Sequence, residues 1–268
     1  MTIQSRWVRV SLWIFAIYAV ICIAVYLFQR RIMYFPNTDA VAPRDDMVDL
    51  TLTTADGTAI KATWWPGRRD VVILLFHGNA GNRGSRFSLM GKLQELGWSI
   101  FLLDYRGYGG SDGSPTQVGL GQDGDAAVAW LRENRGGDKI VFFGESIGAS
   151  VAIDTATRHK PDAFIFQGAA LDISAVAQEH YAFLPVGLIL KDTWNSKGKI
   201  ESLAVPTLCM HGELDRVVPI AHGRALFDAA PGPKEWFEVK RAHHNDLPST
   251  AGARWSETIH AFLQFATR

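Results

Sequence analysis

Little in this chain points towards metal, nucleotide or nucleic acid. Cysteine is scarce, with Cys22 and Cys209 the only two in 268 residues. Cys22 lies inside an apolar run and Cys209 inside a predicted strand far away, so they are not read as a disulfide and say nothing about redox compartment. Neither sign of charge is in excess, since 27 Lys and Arg balance 27 Asp and Glu. A balanced chain lacks the global field that draws a protein to nucleic acid or another polyanion. No His-Glu-x-x-His spacing occurs, and adjacent His243 and His244 cannot easily share one ion, so no metal is expected. There is no P-loop and no nucleotide fingerprint at a strand end, so no cofactor is expected either. Repeats and low-complexity linkers are missing too, which leaves one domain behind whatever precedes it.

What the chain does have begins with an apolar run. Val10 to Phe28 spans 19 residues with Ser11 as its one strongly polar member. At ~1.5 Å per residue it nearly matches a hydrocarbon layer of ~30 Å. Arg6 and Arg9 precede it, Gln29-Arg30-Arg31 follow it, and Trp7, Trp13, Tyr18 and Tyr26 are suited to the interfaces. A cleaved signal peptide would be shorter, with small residues close behind it; here the following residues are bulky or basic. The expectation is therefore an uncleaved single-pass anchor over residues 1–29. A connector would follow over 30–46, with Tyr34-Phe35-Pro36 at the membrane surface, and then a catalytic domain over 47–268. Arginines on both sides leave the orientation open, with a short cytoplasmic N-terminus and an extracytoplasmic domain as the expected arrangement.

Beyond residue 47 the pattern alternates. Val48 to Leu52 and Ile60 to Trp64 read as strands around an Asp56-Gly57 hairpin turn. Val71 to Phe76 is fully apolar and reads as the first buried parallel strand. Strands at 99–103, 140–143, 163–167, 207–210 and 235–239 alternate with helices at 83–96, 122–134, 147–158, 220–230 and 252–267. Repeated strand–helix units predict an α/β fold, a mostly parallel central sheet with helices on both faces. Residues 171–200 interrupt this alternation as an irregular, apolar stretch.

Gly144-Glu145-Ser146-Ile147-Gly148 sits between a predicted strand and a predicted helix. Gly-x-Ser-x-Gly in that context is a nucleophile elbow, whose tight turn lifts the serine hydroxyl clear of the sheet. A serine needs a base, normally histidine, and the histidine needs a carboxylate to fix its tautomer. Asp215 follows the strand at 207–210, and His243 and His244 follow the strand at 235–239. In a parallel sheet those positions share one edge, and the order Ser, Asp, His is that of an α/β-hydrolase. Ser146 is the candidate nucleophile and Asp215 the candidate acid, with Asp172 as an alternative. The candidate base is His244 or His243. An oxyanion hole would use the amide of Ile147 and that of Asn79, or else of Ala80.

Five segments carry a family resemblance: HGNAGN (77–82), DYRGYGGSDGSP (104–115), GESIGAS (144–150), HGELDRVVP (211–219) and AHHNDL (242–247). In order and role they resemble the membrane-anchored serine-hydrolase branch of the α/β-hydrolase superfamily, related to serine aminopeptidase-like hydrolases and protein depalmitoylases. The family's usual Ala-Gly-His-Asn-Asp aligns its catalytic histidine with His244 and puts His243 where glycine is customary. The resemblance implies a short lid at about 171–200 and cleavage of esters or thioesters.

Other polar residues have plainer readings. His77 and His211 are expected to hydrogen-bond their own loops, Arg106 to tie loops together, and Asp246 to orient the histidine loop. Glu213 is expected to be a loop residue and Ser150 an ordinary helix residue. The apolar segment Tyr181 to Leu190 suits an acyl or alkyl group, or contact with the bilayer. The expected function is a serine esterase or acyl-thioesterase acting on a lipid-like small molecule. An aminopeptidase is the nearest rival, and a non-catalytic membrane-tethered scaffold the rival from another class.

Overall fold

The computed structural model describes residues 3–268. Helix α1 (Ile3–Met33) holds the apolar run and is long and apolar enough to cross a membrane. It continues past Gln29 to Met33, and the chain then enters strand β1 (Phe35–Pro36). Strands β2 (Val48–Thr53) and β3 (Ala59–Trp65) pair antiparallel around Asp56-Gly57, where Gly57 takes φ 84°. Next come β4 (Val71–Phe76), β5 (Ala80–Gly81), a 3-10 turn (Arg83–Arg86), α2 (Phe87–Glu95), β6 (Ser99–Leu103) and α3 (Gln117–Asn134). Strand β7 (Lys139–Glu145), α4 (Ile147–Ala156) and β8 (Ala163–Gln167) carry the chain through the elbow. Three short helices follow, α5 (Ile173–His180), α6 (Val186–Ile189) and α7 (Lys197–Ile200). The chain ends with β9 (Thr207–Gly212), α8 (Ile220–Ala229), β10 (Lys234–Val239), α9 (Leu247–Ala251) and α10 (Ala253–Ala266).

The central sheet has eight strands in the order β10-β9-β8-β7-β4-β6-β3-β2. Strand β3 runs antiparallel to both its neighbours, and the remaining pairs are parallel. Alternate residues of β4 feed opposite faces. Val72, Leu74 and Phe76 join Leu120, Val128, Val151 and Leu226 under α3, α4 and α8. Ile73 and Leu75 join Leu93, Trp255, Ile259 and Leu263 under α2 and α10. Both faces are thus covered, which is why β4 and β6 are buried throughout and read as unbroken apolar runs. Each such buried aliphatic side chain stabilises the fold by ~1.5–3 kcal/mol relative to exposure.

The structure departs from the sequence reading in places. Helix α3 starts at Gln117 rather than 122, because Thr116 caps it by accepting from the Gly119 amide at 2.9 Å. Gly119, outside the expected helix, and Gly124, inside it, are both required by close packing. A Cβ on the first would lie 2.5 Å from Arg106 Cδ, and on the second 2.4 Å from Thr155 Oγ1. The stretch 171–200 is not irregular throughout but holds α5, α6 and α7. Tyr34 is not at a free surface. It is 2% exposed, and its hydroxyl donates to Asp192 at 3.2 Å, because a buried phenol needs an acceptor.

Candidate active site

Ser146 connects β7 to α4 with φ 55° and ψ −122°, a conformation that a non-glycine residue rarely adopts. The flanking glycines make it possible. A Cβ on Gly144 would lie 2.3 Å from Ala149 Cα, and one on Gly148 would lie 2.0 Å from the Phe76 carbonyl oxygen. The Ser146 amide donates to the Gln167 carbonyl at 2.8 Å, tying the elbow to β8.

Three side chains from three strand ends meet at this edge. His244 Nε2 lies 2.9 Å from Ser146 Oγ, and His244 Nδ1 lies 2.7 Å from Asp215 Oδ2. The second oxygen of Asp215 accepts the amides of Val217 and Val218, each at 2.9 Å, so the carboxylate is fixed in place. Burial pushes the Asp215 pKa up, but hydrogen bonds from His211 and His244 outweigh it and hold the group well below the usual carboxylate range. The His211 contribution is the weaker geometrically. Its Nε2 is 3.4 Å from Asp215 but 2.8 Å from the Val218 carbonyl, which is the better acceptor. With Asp215 ionised, the tautomer that donates through Nδ1 is favoured, and Nε2 is left to accept the serine proton.

The alternatives point elsewhere. His243 donates through Nδ1 to the Leu214 carbonyl at 2.9 Å, and its amide donates to Asp246 Oδ1 at 2.6 Å. Asp172 caps α5, accepting from the Ser174 amide at 2.7 Å. Arg106 ties loops, bonding Asp123 at 2.8 Å and Asp56 at 2.8 Å. Glu213 accepts the Arg241 amide at 3.0 Å, joining the loop after β9 to the loop after β10. Ser150 is buried in α4 and meets Ser196 Oγ at 3.0 Å. His77 is fully buried. Desolvation, with Arg86 nearby, lowers its pKa to about 3, so the ring is neutral and donates through Nδ1 to the Gly78 carbonyl at 2.7 Å.

Asn79 and Ile147 both border the space in front of the serine hydroxyl. Among the described residues neither backbone amide donates to a protein acceptor. The side-chain amide nitrogen and the carbonyl of Asn79 are both engaged. Its side chain donates to the Met33 carbonyl at 3.0 Å, and its carbonyl accepts the Phe35 amide at 3.0 Å and the Tyr108 hydroxyl at 2.8 Å. The loop after β4 is thereby fastened to the foot of α1, a link with no direct signal in the sequence.

Two cavities meet at Ser146. A polar one of about 190 Å³ includes Gly78, Ala80, Arg86, Glu145 and Asn245. Glu145 accepts from Arg86 Nε at 3.0 Å and from the Gly78 amide at 3.3 Å. An apolar cavity of about 420 Å³ extends the other way, between α5, α6 and α1, with Val25, Ile32 and Met33 among its walls. Those α1 residues were not singled out by sequence, though a lone Gln29 closing an apolar run was the available signal. A wider cleft of about 590 Å³ lies at the opposite edge of the sheet, around Arg69, Trp98 and Lys139, with no serine or cysteine among its lining residues. Among the described residues no cluster of His, Cys, Asp and Glu could hold a metal ion.

Comparison with known proteins agrees with this architecture. Residues 67–189 match the hydrolase family described as serine aminopeptidase, S33. The uncharacterized protein Rv2307c of Mycobacterium tuberculosis is 34% identical over 261 residues, covering 92% of this chain and 93% of its own. The uncharacterized membrane protein YNL320W of Saccharomyces cerevisiae is 29% identical over 242 residues, covering 83% and 84%. Among solved structures, the Pyrococcus furiosus esterase PF2001 superposes with a TM-score of 0.71 at 21% identity, covering 87% of this chain and 97% of that one. The strand order, the elbow and the near full-length likeness to Rv2307c lead to one conclusion: the chain belongs to the α/β-hydrolase superfamily, in a family related to the serine aminopeptidases.

Proposed function

We infer that the chain is a serine hydrolase that cleaves carboxylic ester or thioester bonds of acyl, lipid-like substrates. The observation that carries this reading is the unbroken relay of 2.9 Å and 2.7 Å from Ser146 through His244 to Asp215, opening on an apolar cavity. His244 takes the hydroxyl proton as Ser146 attacks the carbonyl carbon, and the amides of Asn79 and Ile147 receive the developing oxyanion. The same proton then goes to the departing alkoxide or thiolate, leaving an acyl-serine. Water, deprotonated by His244, releases the acid. The apolar cavity suits the acyl chain, and the smaller polar one suits the leaving group and the water. Residues 1–29 serve as membrane anchor, 30–46 as connector and 47–268 as catalytic domain, with the lid over about 171–200.

Cleavage of peptides from a free N-terminus would need an unpaired acid to hold the substrate ammonium. Glu145 is the carboxylate in the polar cavity, and Arg86 with the Gly78 amide already engages it. An ester or thioester needs no such partner. A fluorophosphonate probe tests the assignment: the wild type is labelled and Ser146→Ala is not. Labelling that survives the substitution would overturn it.

A further inference from the structure

Helix α1 is built into the apolar cavity rather than standing apart from it. Val25, Ile32 and Met33 form one wall, Ala177, Tyr181 and Ile189 the facing wall, and Ser146 lies at the inner end. The two walls are held together by polar contacts. Gln29, 5% exposed, donates to the Ile189 carbonyl at 2.9 Å and accepts the Lys191 amide at 2.6 Å. Arg30 makes a two-bond contact with Asp192, both at 3.1 Å, and the Tyr18 hydroxyl donates to the Phe183 carbonyl at 2.8 Å.

Tyr18 fixes how far the lid reaches. It lies at the middle of the Val10–Phe28 apolar run and 12 residues before Arg30, which is ~18 Å along the helix axis. With that run spanning a hydrocarbon layer of ~30 Å, the lid segment around Phe183 lies near the bilayer centre. Its outward side chains fit that position, with Phe183 64% and Leu188 86% exposed. So do its backbone carbonyls. Irregular backbone survives at membrane depth only if its polar groups are satisfied. The carbonyls of Phe183 and Ile189 accept from Tyr18 and Gln29, and those of Ala182 and Leu184 accept from Gln178, each at 3.4 Å.

We propose that the acyl chain of the substrate binds between α1 and the lid, entering sideways from the lipid phase, so that long-chain membrane-resident esters or thioesters are the substrate class. This rests on the serine-hydrolase reading above. The membrane helix is then part of the substrate site, and chain length is selected by the space between Val25 and Ser146.

The full chain in phosphatidylcholine vesicles tests this with 4-methylumbelliferyl acetate and palmitate. Wild type is expected to favour palmitate in kcat/KM. Val25→Trp on α1 and Ala177→Trp on the lid narrow the cavity from either side, and each should lower the palmitate-to-acetate ratio at least tenfold. Ile23→Trp, 58% exposed on α1 and outside the cavity, should leave that ratio within twofold of wild type. A fluorophore on Leu188→Cys in a Cys22→Ala background should lose at least half its emission to a quencher carried mid-chain on the lipid. An unaltered ratio in both tryptophan variants that still react with fluorophosphonate, or an unquenched probe at 188, would overturn the proposal and leave the serine assignment standing. Absence of fluorophosphonate labelling in the wild type would instead overturn that assignment, and this proposal with it.

Discussion

His243 Nδ1 lies 2.9 Å from the Leu214 carbonyl oxygen, and that bond turns the ring away from Ser146. Its neighbour His244 takes the opposite direction and touches both Ser146 and Asp215. His243→Ala is therefore expected to keep kcat within about threefold of wild type, whereas His244→Ala should lower it ~10³-fold or more. Ester hydrolysis by the two variants at one substrate series separates them, and equal losses would return His243 to candidacy.

Asp215 is ionised throughout the working range, since its pKa is held below the ordinary carboxylate value. Asp215→Asn keeps the shape but removes the charge and favours the wrong imidazole tautomer, so kcat should fall ~10⁴-fold with little change in thermal midpoint. A loss below tenfold would mean that another group orients His244.

Two glycines make a paired stability test. Gly148→Ala forces a Cβ to 2.0 Å from the Phe76 carbonyl oxygen, a backbone atom that cannot step aside, and should cost ~3 kcal/mol or more. Gly187, within α6, has nothing within 4 Å of its would-be Cβ. Gly187→Ala should be neutral or stabilise by up to ~1 kcal/mol through reduced backbone freedom. Thermal unfolding of the full chain in detergent measures both.

The buried ring of His77 predicts a pH dependence. Desolvation lowers its native pKa to about 3, while an unfolded chain would bind the proton near ~6.5. Because the native value is depressed, the contribution is fully present above the unfolded value. It is lost as pH falls from there towards the native one, by at most ~1.4 kcal/mol per pH unit. His77→Gln should flatten denaturant midpoints over that window, and an unchanged slope would show that other groups govern acid stability.

Asp192, 3% exposed, depends on Arg30 and Tyr34 for its partners. Removing the arginine leaves a nearly buried carboxylate with one neutral donor, so Arg30→Ala should cost ~1–3 kcal/mol and expose the lid to protease. Adding Asp192→Asn to that variant should recover part of the loss.

Sheet and elbow were legible in the sequence because their signals are local. Val71–Phe76 reads as a strand covered on both faces, and Gly144 and Gly148 mark the two positions beside Ser146 where a Cβ would strike backbone. Asp215 and His244 were legible because strand ends in a parallel sheet share an edge. Other features depend on contacts that no local pattern encodes. The start of α3 was obscured by Gly119 and Gly121, which serve packing against Arg106 and Asp154. The placement of Tyr34 and Gln29 depends on Asp192 and Lys191, some 160 positions away. Nor does local spacing say which of the two adjacent rings turns to the Leu214 carbonyl and which to Asp215.

The grip of Asn79 on the foot of α1, through the Met33 carbonyl and the Phe35 amide, bears on how the enzyme can be handled. Trimming such a protein at its hydrophobic leader is the ordinary route to a water-soluble preparation. Here a cut after Met33 would discard Gln29 and Arg30 together with the helix, remove the Met33 carbonyl that Asn79 holds and unroof the cavity. A shortened product that hydrolyses small reporter esters would then be a poor guide to the intact enzyme's preferences, and screening for inhibitors on it would select for the wrong binding site.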